Sequence, residues 1–208
     1  MASTASPYGL KPVNELGGLP YAGSTRSYVI DPAGTAANIY NGSPVYVNAS
    51  GYLAVATATG ADGTTNGLPV GTANTGIVGV FVGCQYINAQ GQVIYSQYYP
   101  TGTTGVVNAY VVDDPQVVFQ VQSAGSVTQA AVGANLFFST GAVATGSTST
   151  GNSTASVVAG SSAVTTTAAF RVVGFPNMVG FSVVGDAYTD VFVKINPGYH
   201  SYTNAVGL

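Results

Sequence analysis

Few side chains in this 208-residue chain could do chemistry, and they are scattered along it. His200 is the only histidine and Cys84 the only cysteine. Around His200 a nucleophile and base arrangement would need a Ser, Cys or Thr and an orienting acid, but no G-x-S-x-G elbow or comparable serine-enzyme motif accompanies it. Beside Pro197-Gly198-Tyr199 it reads as a surface or interface histidine. Cys84 lies between Val82 and Tyr86, not in the cationic setting that activates a thiol, and reads as a small buried apolar side chain. A lone cysteine permits neither an internal disulfide nor a cysteine zinc site. Asp113-Asp114, and Asp186 with Asp190, could offer oxygens to calcium. Yet Pro115 follows the first pair, and Asp caps turns through its own neighbouring backbone, so a turn is the simpler reading. Asn41-Gly42-Ser43, Asn48-Ala49-Ser50 and Asn152-Ser153-Thr154 match the glycosylation triplet, but Pro44 follows the first, and residues 1–12 do not read as a signal peptide. No glycine-rich loop leads into a helix to cradle phosphate. The expectation is a protein that is not an enzyme and takes no cofactor or metal.

Composition turns attention to contact rather than catalysis. Charged residues make up 5% of the chain, against about 25% in an average soluble domain. The formal net charge is −3, and Lys11, Arg26, Arg171 and Lys194 are too few to line a phosphate track, so no nucleic-acid partner is expected. No apolar run approaches the ~20 residues of a membrane-crossing helix, and no membrane partner is expected. A surface so poor in charge normally marks protein contact, which predicts that the chain lives in an assembly. Among the fourteen tyrosines, Tyr95, Tyr98 and Tyr99 cluster in one predicted strand. Tyrosine offers contact area at low entropy cost with a hydroxyl for the wet edge, so these three are candidate oligomer contacts.

The elements that must position these residues read as all-β: an antiparallel sandwich or barrel, jelly-roll-like, with an extended N-terminal arm. Residues 1–30 hold Pro7, Pro12 and Pro20 among several glycines and read as an arm that becomes fixed only on another surface. Residues 31–208 form the body, with a candidate subdivision near 123. Val45-Tyr46-Val47 and Tyr52-Leu53-Ala54-Val55 flank a turn at Asn48-Ala49-Ser50-Gly51 and predict a hairpin. Period-two alternation puts Val78, Val80, Val82, Cys84 and Tyr86 on one strand face. Tyr110-Val111-Val112 and residues 117–122 predict a second hairpin across Asp113-Asp114-Pro115. Its Val117, Phe119 and Val121 share one face, and Gln116, Gln120 and Gln122 form an amide face for a partner. Residues 129–131 predict one helical turn ended at Gly133, and 189–196 a half-buried strand. Residues 57–76 read as a loop, and 141–167 as loops and weak edge strands.

Several stretches carry a resemblance: Pro7-Tyr8-Gly9-Leu10-Lys11-Pro12-Val13, Thr25-Arg26-Ser27-Tyr28, Asn38-Ile39-Tyr40-Asn41-Gly42, Gly79-Val80-Phe81-Val82-Gly83-Cys84-Gln85-Tyr86, Ala109-Tyr110-Val111 with Asp113-Asp114-Pro115, and residues 190–196. In these the chain resembles tailed-bacteriophage virion proteins that decorate or cement the capsid, particularly those of podovirus-like phages of aquatic bacteria. The resemblance implies an accessory protein on the outer surface of the capsid, often trimeric, whose partners are the major capsid protein and its own copies. On that reading Tyr8, Leu10, Pro12, Arg26 and Tyr28 are the arm's anchors on the coat. A host-receptor or glycan-binding spike or fibre subunit, using the tyrosine cluster, is the alternative.

Overall fold

The computed structural model describes residues 4–35, 37–56, 76–139, 145–159, 168–176 and 182–203. Of the predicted loops, 57–75, 141–144 and 160–167 lie outside the described residues. Among the described residues, two single 3-10 turns, Gln129–Ala131 and Pro197–Tyr199, accompany thirteen strands: β1 (Lys11–Glu15), β2 (Arg26–Ile30), β3 (Ile39–Tyr40), β4 (Pro44–Val47), β5 (Leu53–Val55), β6 (Gly79–Ile87), β7 (Val93–Ser96), β8 (Tyr98–Tyr99), β9 (Val107–Val112), β10 (Val117–Gln122), β11 (Asn135–Leu136), β12 (Phe170–Gly174) and β13 (Asp190–Ile195). The all-β expectation holds.

β4, β5, β2, β9 and β6 follow one another in a sheet that closes where β6 returns to β4, and β7 is added outside β6. The result is a small barrel in which only the β2–β5 pair is parallel. Ile30, Val45, Leu53, Phe81, Cys84, Val107, Ala109 and Val111 fill it, joined by Tyr99 from the short β3–β8 ribbon. A second, antiparallel sheet runs β1-β10-β13-β12-β11. Val117, Phe119 and Val121 of β10 do share one face, and with Val191, Val193 and Ile195 of β13 and Phe170 of β12 they build a second core. Val80 and Val112, in register across β6 and β9, point out of the barrel into that core and so join the two layers. Each fully buried Phe or Leu contributes about 1.5–3 kcal/mol.

The hairpin of β4 and β5 forms as read, with Val45 opposite Val55. Asn48 Oδ1 accepts from the Ser50 and Tyr52 N–H groups, and Gly51 takes φ +82°, as the turn requires. The turn Gln129–Ala131 and the strand β13 also lie where expected.

Three readings are corrected. β9 and β10 do not pair: Asp113-Asp114-Pro115 is a crossover that carries the chain from the barrel to the second sheet. It also falls before 123, and β1 belongs to the later sheet, so the layers do not divide the sequence into two blocks. On β6, a bulge between Phe81 and Gly83 reverses the alternation. Val80 and Val82 therefore face the second core while Phe81, Cys84 and Tyr86 face the barrel. Finally, residues 4–30 do not form a separate arm, because β1 and β2 are built into the two sheets and Leu10 is fully buried. Residues 4–8 do lie as a strap, but on this chain's own β10 and β13. Ser6 N–H donates to Gln122 Oε1 at 2.7 Å, Gln122 Nε2 donates to the Thr4 carbonyl at 3.1 Å, and the Tyr8 hydroxyl donates to Asp190 at 3.1 Å.

Candidate functional site

The strap removes most of the proposed amide face. Gln122 is buried beneath it, Gln120 is half-buried, and only Gln116 is exposed. The tyrosine cluster also separates, because the strand breaks at Gln97. Tyr99 is buried in the barrel, donating its hydroxyl to the Thr103 carbonyl at 2.9 Å, and Tyr98 stacks on Tyr40. Tyr95 alone of the three remains at the surface.

Among the described residues, six of the eleven exposed large hydrophobic side chains lie on two projections, while Val29, Val106, Val132, Val183 and Tyr202 are exposed elsewhere. After β1 the chain folds back on itself: Glu15 N–H donates to the Leu19 carbonyl at 2.7 Å, Tyr21 N–H to the Val13 carbonyl at 3.3 Å, and Gly18 turns at φ +84°. This hairpin holds Leu16 (45% exposed) and Leu19 (64%) at its tip. The second projection is the ribbon of β6 and β7. There Ile87 (61%) lies opposite Val93 (53%), and Tyr95 (73%) follows on the same strand face. Among the described residues β7 pairs with β6 only. No Asp, Glu, Lys or Arg occurs from residue 63 to residue 112, so no charge guards this edge.

The expected anchors fall elsewhere. Leu10 is core, Tyr8 and Pro12 are half-buried against the second sheet, and Arg26 and Tyr28 belong to a polar cluster on the barrel that sequence spacing does not reveal. Arg26 Nε meets Asp113 Oδ2 at 2.9 Å, and the Tyr28 hydroxyl donates to the same oxygen at 2.8 Å. The Tyr28 and Tyr202 hydroxyls share a short hydrogen bond. Since Tyr28 gives its single proton to Asp113, Tyr202 is the donor. Arg26 Nη1 in turn donates to the Tyr202 oxygen at 3.4 Å, its guanidinium lying over that ring. Burial first, then the hydrogen bond to Tyr202 and that to Asp113, hold the Tyr28 hydroxyl protonated far above its ordinary range. His200, expected at the surface or an interface, is fully buried within the chain beside this cluster.

The remaining candidates are held structurally. Burial pushes the Cys84 thiol up to about 12, and its S–H faces the Tyr98 carbonyl at 3.5 Å. Asp114 caps its turn by accepting from Gln116 N–H at 2.7 Å, and Asp186 accepts from Val183 N–H at 2.9 Å. Among the described residues no three His, Cys, Asp or Glu side chains gather as a metal site.

Comparison with protein families, with curated proteins and with solved structures finds no match to this chain.

Proposed function

We propose that the chain is a structural virion protein that decorates and cements a phage capsid on its outer surface, bridging coat-protein subunits as a self-associated oligomer, the homotrimer of the resemblance. The observation that carries this reading is the pair of exposed leucines on the glycine-turned hairpin. Apolar anchors raised on a short, hydrogen-bonded projection lose little entropy on docking and gain the area they bury. The contact residues thus move from Tyr8, Leu10 and Pro12 to Leu16 and Leu19, while the uncharged β7 edge serves contact between copies. Several such contacts on one oligomer act together, so a shell strained by packaged DNA is held closed by weak individual bonds.

Leu16→Ser with Leu19→Ser tests this. The double variant should keep its unfolding transition and lose sedimentation with undecorated phage shells, whereas undiminished co-sedimentation would refute the hairpin as the anchor. Because the contacts are apolar, binding by the unaltered chain should change little between low and moderate salt. The receptor or glycan reading retains one supporting observation, the exposed Tyr95 ring. Specific, Tyr95-dependent signals on a glycan array would favour it.

A further inference from the structure

His200 is the one histidine of the chain and has no solvent exposure. It sits in the segment 197–203, which follows β13 and lies against residues 76–77. Ile77 N–H donates to the Tyr199 carbonyl at 2.6 Å, Ser201 N–H donates to the Ile77 carbonyl at 2.9 Å, and Ser201 Oγ donates to the Gly76 carbonyl at 3.1 Å. His200 Nδ1 accepts the Tyr202 N–H at 3.2 Å, which requires that nitrogen to be unprotonated. Nε2 is buried, and among the described residues it meets no hydrogen-bond partner at full geometry, although the Asp113 backbone lies close enough to favour a proton there. The same bond places the Tyr202 ring 5.9 Å from the imidazole and delivers its hydroxyl to Tyr28 and Arg26.

We propose that residues 197–203 form a proton-sensitive latch. Neutral His200 pins Tyr202 onto Arg26, Tyr28 and Asp113, and protonation of its ring withdraws Tyr202 and uncovers them. Protonating Nδ1 replaces an acceptor with a donor opposite an N–H, and it places charge where water cannot reach. The groups facing His200 among the described residues are Asp113 and Asp114 on the β9–β10 crossover, with Arg26 and Tyr28 of β2 and Tyr21 grouped around Asp113, and Tyr202 on its own segment; residues 76–77 bring none. Burial lowers the ring's pKa below 6.5, outweighing the Asp113 backbone hydrogen bond and the Asp113 and Asp114 carboxylates, all of which favour the charged ring. The sign follows: the undocked ring takes its proton first, so docking is intact above about pH 6.5. It then weakens by up to about tenfold per pH unit below that, until the docked ring titrates too. This latch is independent of the capsid reading, since it concerns only the chain's own C-terminal segment.

The test is hydrogen exchange of 199–203 from pH 7.5 to 5.5, corrected for intrinsic rates and referred to β9, in the unaltered chain and in His200→Gln. Protection of the segment should fall several-fold with acid while β9 is unchanged, and the Gln variant should show no such dependence. Protection that does not vary with pH, or that varies equally in the variant, overturns the proposal. If the variant leaves the segment unprotected at every pH, an NMR titration of the unaltered chain decides. A ring pKa below 6.5 with the Tyr202 amide following the same curve supports the latch. A ring pKa at or above 6.5, or an amide that ignores the ring, overturns it.

Discussion

The outer strands of the two sheets, β1 and β7, end their layers in opposite ways. β1 carries Lys11 and Glu15, loses a donor at Pro12, bulges between Pro12 and Asn14, and is folded over on its outer side by residues 19–21. Each of these devices discourages another strand from pairing there. β7 is Val93-Ile94-Tyr95-Ser96, with neither charge nor proline, and among the described residues only β6 lies beside it. Among the described residues the chain thus closes one edge with its own return and leaves the other uncovered, apolar and flanked by a long uncharged stretch. The difference fits the proposed contact between copies at β7, since the same sequence holds the means to guard an edge and uses them on β1 but not on β7.

The comparison breaks most directly at β7. Val93→Lys with Tyr95→Lys should convert an oligomer to monomer, read by analytical ultracentrifugation, while the far-UV circular dichroism stays β-type. Facing lysines on neighbouring copies repel, and their desolvation opposes pairing. Next in size is Pro12→Val with Lys11→Thr, which restores a donor and removes a charge on β1. It should add concentration-dependent association to the existing oligomer, and no change in mass would mean that the folded-back chain alone protects that edge. The smallest expected effect concerns the strap beside β1. Tyr8→Phe removes the hydroxyl bonded to Asp190 and should lower unfolding stability by about 1 kcal/mol, read as a shift in denaturant midpoint at constant slope.

Local signals proved legible and long-range ones did not. The β4–β5 hairpin could be read because Asn48 and Gly51 determine both the turn and the pairing within a few residues. Asp113-Asp114-Pro115 announces a reversal equally well, but a turn signal does not say whether the strands it separates pair with each other or enter different sheets. The phase of β6 was lost at Gly83, where φ +153° and the Ser96 carbonyl, 3.0 Å from where a Cβ would sit, suit glycine. Nothing in Pro197-Gly198-Tyr199-His200 itself signals that the ring is buried. Its burial depends on Ile77 and Asp113, and its link to Arg26 and Tyr28 on Tyr202, contacts that pairing of distant segments creates. Likewise the N-terminal prolines and glycines read as an arm over residues 1–30, whereas the strap is confined to residues 4–8 among those described and crosses the chain's own β10 and β13.

The central claim is that sheets so sparing of charge are covered by protein, beginning with a further copy at β7. Light scattering coupled to size-exclusion chromatography measures this directly on the purified chain. The account predicts a discrete multiple of the 20.8 kDa protomer mass that falls to one protomer in the Val93→Lys, Tyr95→Lys variant. A monodisperse monomer for the unaltered chain at the highest attainable concentration would contradict it.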